Sequence, residues 1–401
     1  MKFNRNYVYL LSGQSLANIG DVLYIVSIIS AIFVTTGSAT AASFVPFTIT
    51  SSMFLSSILT PLLIGKVNLK WLLAGSQMAK TCLMVFLAFL VAEVSESNYM
   101  LLFLVIAAIA LLDGCANPIR QTLIPHYVES EQLVRANGFA ETVTQTIQTV
   151  MWFVGSLLLT IMGAVPLVWL VVLIFSISGI LLCFLEPVEK GTSEDKDVLG
   201  QVQDGWRTLY RTPVLRKLAA VETLETMAGT VWIAAILYVF VSEALHVGEA
   251  WWGFLNGSFF VGLIIGSVFC VRYSSLMDRN MGTMMLIGSV TGFIVTVAFS
   301  FISRPWLALA LSLLIGVSGQ IKNIPQQTVI QTSVPKEKLS TVYTSLGAIG
   351  TGVFGVSSLL VGAMADLFGV RMVFLFSGIL LALASLILYR NNALFVKNVE
   401  S

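Results

Sequence analysis

Charged side chains are scarce in this chain. Only 11% of its 401 residues are Asp, Glu, Lys or Arg, where a soluble domain carries about a quarter, so a water-facing surface over the whole molecule is excluded. Histidine is scarcer still. His126 and His246 are the only two, which leaves no His-rich metal cluster, and no convincing nucleophile and base pairing stands out, so an enzyme is a weak third reading. The four cysteines, Cys82, Cys115, Cys183 and Cys270, lie far apart in apolar sequence without metal-ligand spacing and read as small buried hydrophobes. No glycine-rich, lysine-ending nucleotide loop occurs. The net charge of +1 offers no surface for a polyanion, so nucleic acid is set aside. No cofactor is expected.

What the chain has in excess is apolar residues, 57% of the total, gathered in blocks of about twenty with the charges between them. These blocks predict twelve membrane-spanning helices at roughly 8–34, 41–64, 71–92, 99–119, 137–161, 166–185, 214–241, 251–273, 281–302, 305–325, 342–365 and 371–389. Each is about twice the length a tilted barrel strand needs, and none alternates polar with apolar. The first block is too long for an export signal and leads into further spans, so it reads as a retained helix. With the N-terminus inside, only Arg304 and Arg371 of the 22 Lys and Arg residues fall in outside segments and Lys80 falls within a span. That asymmetry predicts two cytoplasmic termini and an even number of crossings.

The halves repeat each other. An offset of 206 superposes Asn117 on Asn323, Gln121 on Gln327, Thr122 on Thr328, Ile124 on Ile330, Val128 on Val334, Glu131 on Glu337 and Leu133 on Leu339. The offset covers six spans, so the repeats are parallel and related by an axis along the membrane normal. The expected organisation is a six-helix bundle over 1–185, a cytoplasmic linker over 186–213, a second bundle over 214–389 and a tail over 390–401. The linker holds the charge cluster Glu194 to Asp197, and Trp206, Leu209 and Tyr210 near one face fit a short interfacial helix, with a solvated linker as the alternative. Small residues at Gly257, Gly262 and Gly266, and at Gly347, Gly350, Gly352 and Gly355, predict close helix crossings.

Ionisable groups within hydrocarbon cost about 2.5–3.5 kcal/mol each on insertion scales and therefore face a cavity or a partner. Asp21 shares a helix face with Gln14 and Asn18; it can bind a proton or a cationic substrate group, or tie its helix to Lys80. Glu222 and Glu225 stand one turn apart and can form a protonation switch, sit wetted near the inner mouth, or meet a Lys or Arg of a neighbouring helix. Glu141, Gln145, Gln148 and Trp152 form a polar and aromatic stripe, with Gln148 and Trp152 deep enough to line a cavity. Gate candidates are Lys80, Asp113, Asn117, Arg120 and Glu141 in the first half, and Asn323 and Gln327, beside Gln320, in the second.

The order of Gly20-Asp21, Asn117-Pro118 with Ile124-Pro125, and Asp204-Gly205-Trp206 with Pro213 resembles the major facilitator superfamily. Over nearly the whole length it is most similar to the drug and metabolite exporter branch of macrolide-efflux proteins and the enterobactin and bacilysin exporters. The family's glycine, acid and basic loop signature is reduced to Gly65-Lys66-Val67-Asn68-Leu69-Lys70, without the acid, and to Asp278 and Arg279; a clearer echo runs from Gly362 to Arg371. The glycine-rich fifth-helix antiporter signature is absent around Gly155-Ser156. The resemblance implies an all-α polytopic fold and proton-coupled efflux of a small amphiphilic compound by a protein of a bacterial cell membrane. The expected partners are that substrate, protons and membrane lipids, with the chain acting as a monomer. An uptake permease for a small metabolite or siderophore, and a non-transporting receptor or scaffold, are the alternatives.

Overall fold

A computed structural model describes residues 4–36, 39–60, 67–95, 98–188, 198–232, 234–248 and 250–395. The charge cluster at 194–197, together with Gly65 and Lys66 of the loop signature, lies outside them. All the long elements are helices, as hydrocarbon requires of a backbone that must bond to itself. They are α1 (Arg5–Thr36), α2 (Ala39–Leu59), α3 (Leu69–Ala92), α4 (Met100–Asp113), α5 (Ala116–Tyr127), α6 (Leu133–Met162), α7 (Ala164–Cys183) and α8 (Val198–Arg211). There follow α9 (Pro213–Gly229), α10 (Ala234–Val239), α11 (Ala250–Arg272), α12 (Ser274–Arg279), α13 (Met281–Phe301), α14 (Pro305–Ser333), α15 (Lys336–Phe368) and α16 (Val370–Arg390). Among the described residues, 10 helical stretches are long and apolar enough to cross a membrane.

The helices overrun the spans read from hydropathy. The fourth continues through α5 to Tyr127 and the tenth, α14, to Ser333, where the sequence reading placed loops from about 120 and 326. Hydropathy marks the length dissolved in hydrocarbon; the polar turns beyond it remain helical because they pack against protein. Pro125 and Pro325 are both inside helices. The fourth span is in turn divided at Gly114–Cys115, where a Cβ on Gly114 would lie 2.5 Å from the Ser56 side chain. The seventh is interrupted after Gly229 by a 3-10 turn over Thr230–Trp232 and ends in a π turn over Phe240–Ala244.

The offset of 206 reappears in the backbone. Val128 and Val334 are both extended residues that stop a long helix. Gly163 and Gly369 both hold φ at 80° in one-residue connections between antiparallel helices, a conformation that a side chain rarely adopts.

The chain divides into two compact units, one of residues 1–128, 146–205 and 336–345, the other of 129–145, 206–335 and 346–401. In the first, α1 and α3 pack on α7 and α2 packs on α4, around a core that includes Leu23, Ile28, Ile32, Met84, Ile106 and Phe175. Asn6 exchanges two hydrogen bonds with Glu186, whose carbonyl accepts from Tyr127 at 2.7 Å, so one residue fastens the ends of α1, α5 and α7. α8 forms as a longer helix than its aromatic face implied. Its Gly205 lies so close to α15 that a Cβ would stand 2.7 Å from the Thr341 carbonyl, and Leu209 is buried while Tyr210 is exposed.

In the second unit α14 packs on α11 and α13, and α16 on α13 and α9. Arg371 gathers neighbouring helix ends, donating to the carbonyls of Ser300 and Ala244 at 2.7 and 3.0 Å and to the Ser303 hydroxyl at 2.9 Å. Glycine brings α11 and α14 into backbone contact, since a Cβ on Gly262 would lie 2.1 Å from the Leu313 carbonyl oxygen and one on Gly316 2.3 Å from that of Phe259. Lipid tails are as apolar as leucine, so this fit, rather than a hydrophobic drive, holds such helices together. Gly257, Gly347, Gly350 and Gly355, expected to serve similarly, have nothing within 4 Å of a built Cβ.

Replacing Gly316 with Ala overpacks this crossing and is expected to cost about 1–3 kcal/mol, read as a drop of several degrees in the melting temperature of the detergent-purified protein. Gly253→Ala, on α11 with open space around it, leaves the melting temperature within a degree or so. Equal melting temperatures for the two variants overturn the account of the crossing.

Candidate functional site

Each of the two compact units holds one ionic cluster. In the first, the Lys80 ammonium on α3, with a side chain only 1% exposed, donates to Asp21 on α1 at 2.5 Å and to Asp113 at the end of α4 at 2.7 Å. The ammonium also lies 4.6 Å from the centre of the Phe175 ring on α7, an attractive cation–π arrangement. Gly20 makes that possible, because a Cβ there would meet the Phe175 ring at 2.2 Å. The Gly20-Asp21 pair therefore works as a unit: the glycine admits the ring and the aspartate holds the lysine above it. Of the alternatives for Asp21, the tie to Lys80 is the one the geometry displays.

In the second, Lys322 on α14 touches Glu225 on α9 and stands 3.9 Å from Glu222. Glu225 accepts from the Ser289 hydroxyl of α13 at 3.1 Å, and Ser289 meets Ser385 at 3.0 Å. Glu222 accepts from the Gln326 side chain at 2.8 Å. The counterpart of Lys80 at the 206 offset is Leu286, and that of Lys322 is Ala116, so one cluster takes its ammonium from α3 and the other from α14. Both clusters hold two carboxylates around one ammonium. Removing the ammonium from such a cluster is expected to cost about 3–5 kcal/mol, because the carboxylates are left without a counter-ion.

Lys322 is the main correction to the sequence reading, which counted it among the inside-segment cations that set the orientation. It is 4% exposed in the interior of α14. The signal was present in the two α9 carboxylates, which required a cation from a neighbour, but nothing local singled out position 322 among the polar residues from Gln320 to Gln327.

The remaining candidates are dispersed. Gln14 is buried and Asn18 half-buried on α1. Gln148 and Trp152 are exposed on α6, outside the packed core, with Glu141 half-buried. Among the gate candidates, Lys80 and Asp113 belong to the first cluster, whereas Asn117 and Asn323 are exposed, Arg120 is buried and Gln327 half-buried. The sequence reading overlooked Asn137. Its side-chain amide, buried at the start of α6, donates to Gln331 at 2.7 Å and to Thr328 at 3.2 Å on α14, and Gln331 donates back at 3.3 Å. Gly138 admits this approach, with Val271 of α11 3.0 Å from its built Cβ. An asparagine at a helix base carries no distinguishing local pattern.

The second cluster opens on a cavity of about 300 Å³, bordered by Glu222, Glu225, Lys322, Asn323, Trp232 and Phe259. Breaks in spanning helices commonly lie beside such polar cavities, and the interruption after Gly229 does so here.

Comparison with known proteins places these features. Residues 10–355 match the Major Facilitator Superfamily. The chain is 29% identical to the uncharacterized MFS-type transporter YfmI of Bacillus subtilis over 391 residues, 96% of this chain and 95% of that one. It is 24% identical over 274 residues to the multidrug efflux pump Tap of Mycolicibacterium fortuitum, covering 66% of each. Its fold is similar to that of the human organic anion transporter MFSD10, with a TM-score of 0.77 at 11% identity over 96% of this chain and 99% of that one. A similar likeness links it to FucP in the outward conformation, with a TM-score of 0.77 at 14% identity over 96% and 98%. A family match over most of the length, an all-helical polytopic fold and buried ionic clusters lead to one conclusion: the chain belongs to the Major Facilitator Superfamily of non-enzymatic carriers, as a secondary-active membrane transporter of small molecules.

Proposed function

We propose that the protein exports a small amphiphilic compound, a drug or secondary metabolite, in exchange for protons, by alternating access across a bacterial cell membrane. The observation that carries this reading is the paired clusters: each sets two carboxylates against one ammonium in a medium that tolerates no uncompensated charge. A proton is the smallest counter-ion that restores balance, and Asp21, Glu222 and Glu225 are its candidate carriers. The likeness to the Tap efflux pump supports the export direction and the drug and metabolite exporter branch. The organism of YfmI supports a bacterial membrane.

The proposed architecture has twelve crossings in two parallel six-helix bundles, 1–185 and 214–389, joined by a linker over 186–213 and followed by a tail over 390–401, with both termini cytoplasmic and the chain working as a monomer. Ten long apolar helices, the shorter apolar stretch Phe44–Ser56 and the interrupted run from Pro213 to Ala244 supply twelve positions, and the shared offset of Gly163 and Gly369 supports the duplication. Gln14, Asn18, Gln148 and Trp152 are proposed to line the substrate path. Asn117, Arg120, Glu141, Asn323 and Gln327 are proposed as gate residues, joined by Asn137, while Lys80 and Asp113 act through the first cluster.

Everted vesicles holding the protein and made acid inside are expected to accumulate ethidium, and a protonophore abolishes the accumulation. Uptake by right-side-out vesicles under an inward proton gradient, without accumulation in everted ones, overturns export. Asp21→Asn leaves Lys80 paired with Asp113 and is expected to retain folded yield while lowering ethidium transport at least about tenfold, the loss of a charge-assisted contact being the cause. Lys80→Ala abandons two buried carboxylates and is expected to lose the folded protein itself. Transport by Asp21→Asn at the unaltered rate removes Asp21 from the coupling path. Cysteines at Asn137 and Gln331, bridged by a short bifunctional reagent, are expected to stop transport reversibly; undiminished transport by the bridged protein excludes this contact from the gate.

A further inference from the structure

The two clusters differ in one respect that duplication does not explain. Lys80 is held at hydrogen-bond distance by both of its carboxylates, so the first cluster is internally satisfied. Lys322 is committed to Glu225, while Glu222 lies 3.9 Å away with 36% of its side chain exposed, against 16% for Glu225 and 5% for Lys322. Glu222 is thus the more exposed and the less tightly paired of the two carboxylates, and it borders the cavity of about 300 Å³.

Two further features give that cavity the same sign. The last turn of α9, from Thr226 to Gly229, forms part of its wall, and the carbonyl end of a helix carries partial negative charge. Trp232 presents an aromatic wall that is already fixed in place, with its ring 4.7 Å from Phe299 and 5.5 Å from Phe374 between centroids. Phe259 adds a second ring to the lining. Acidic, aromatic and small surroundings of this kind favour an ammonium group attached to a compact apolar body.

We propose that this cavity, lined by residues of one unit of the fold, is a binding site for a small organic ammonium ion, with Glu222 as the anionic anchor and Trp232 and Phe259 flanking the apolar body. Lys322 then keeps Glu225 neutralised, so that the site offers one negative charge and selects a monocation over an anion or a zwitterion. The inference deepens the transport reading by naming a substrate class, and it rests on that reading only for its physiological meaning; binding itself needs no gradient.

The test is a melting-temperature titration of the purified protein in detergent with 2-phenylethylamine, its neutral analogue 2-phenylethanol and the anion phenylacetate. Ligand that binds the folded state alone raises the melting temperature with concentration. The amine is expected to raise it by about 3 °C or more at saturation, with no shift from the alcohol or the acid. Glu222→Gln removes the anchor charge, and Gly319→Leu fills the cavity from a position with open space around it. Each is expected to weaken the amine response at least about tenfold in concentration while the ligand-free melting temperature stays near that of the parent. Absence of an amine shift in the parent protein, an equal shift from the alcohol or phenylacetate, or an unaltered response in both variants overturns the proposal. Amine binding without gradient-driven ethidium movement sinks the proton-coupled export reading and leaves this site standing; transport without amine binding does the reverse.

Discussion

A charge that cannot reach water has to find an opposite charge, and in this molecule that requirement determines which helices meet. Lys80 is buried so fully that its helix is stable only where α1 and α4 bring carboxylates to it. Three helices are thereby tied at a single atom. Around this point the apolar packing of α1, α3 and α7 needs only to be close-fitting, and Gly13 and Gly20 keep it so by accommodating Leu182 and Phe175. The second half answers the same requirement with Lys322, while Ser289 of α13, itself hydrogen-bonded to Ser385 of α16, donates to the second oxygen of Glu225.

Much of this was legible in the sequence, because membrane helices announce themselves by a property that sums over twenty residues. The offset of 206, found in a run of identities, recurs as matched helix ends at Val128 and Val334 and matched left-handed glycines at Gly163 and Gly369. The polar extensions of α5 and α14 were not legible, since they lie beyond the length that hydropathy measures. Nor was the partner of the α9 carboxylates. Lys322 is 97 residues from Glu225 in the chain, and only packing identifies which cation faces which acid. Asp21 and Lys80 could be linked from sequence as one of the alternatives, since each is the sole charged residue of its span. The α14 region offered too many polar residues for that elimination to work.

The two clusters take their cations from positions that the offset of 206 does not match. With the ammonium on α3 in one unit and on α14 in the other, the surrounding atoms differ as well. Where α3 places its lysine between two aspartates and over a ring, α13 now supplies only the hydroxyl of Ser289. A lysine arriving from α14 reaches one glutamate and falls short of the other. The geometric mismatch leaves room, and the interruption of α9 after Gly229 widens it into a cavity.

That asymmetry separates two tasks that a symmetric carrier would have to combine. If a proton enters the first cluster, it displaces an ion pair that ties three helices, so its energetic effect falls on helix packing. If a cation enters the second, it meets Glu222 without first breaking the contact between Lys322 and Glu225, so the local structure survives occupancy. A ligand shifts a conformational equilibrium only by its difference in affinity for the two states. A cluster whose bonds are all made changes that difference through packing, whereas one with a carboxylate to spare changes it through occupancy. Under the proposed exchange mechanism the first half is therefore suited to sensing the proton and the second to holding the cargo, and the position of a single lysine accounts for the division.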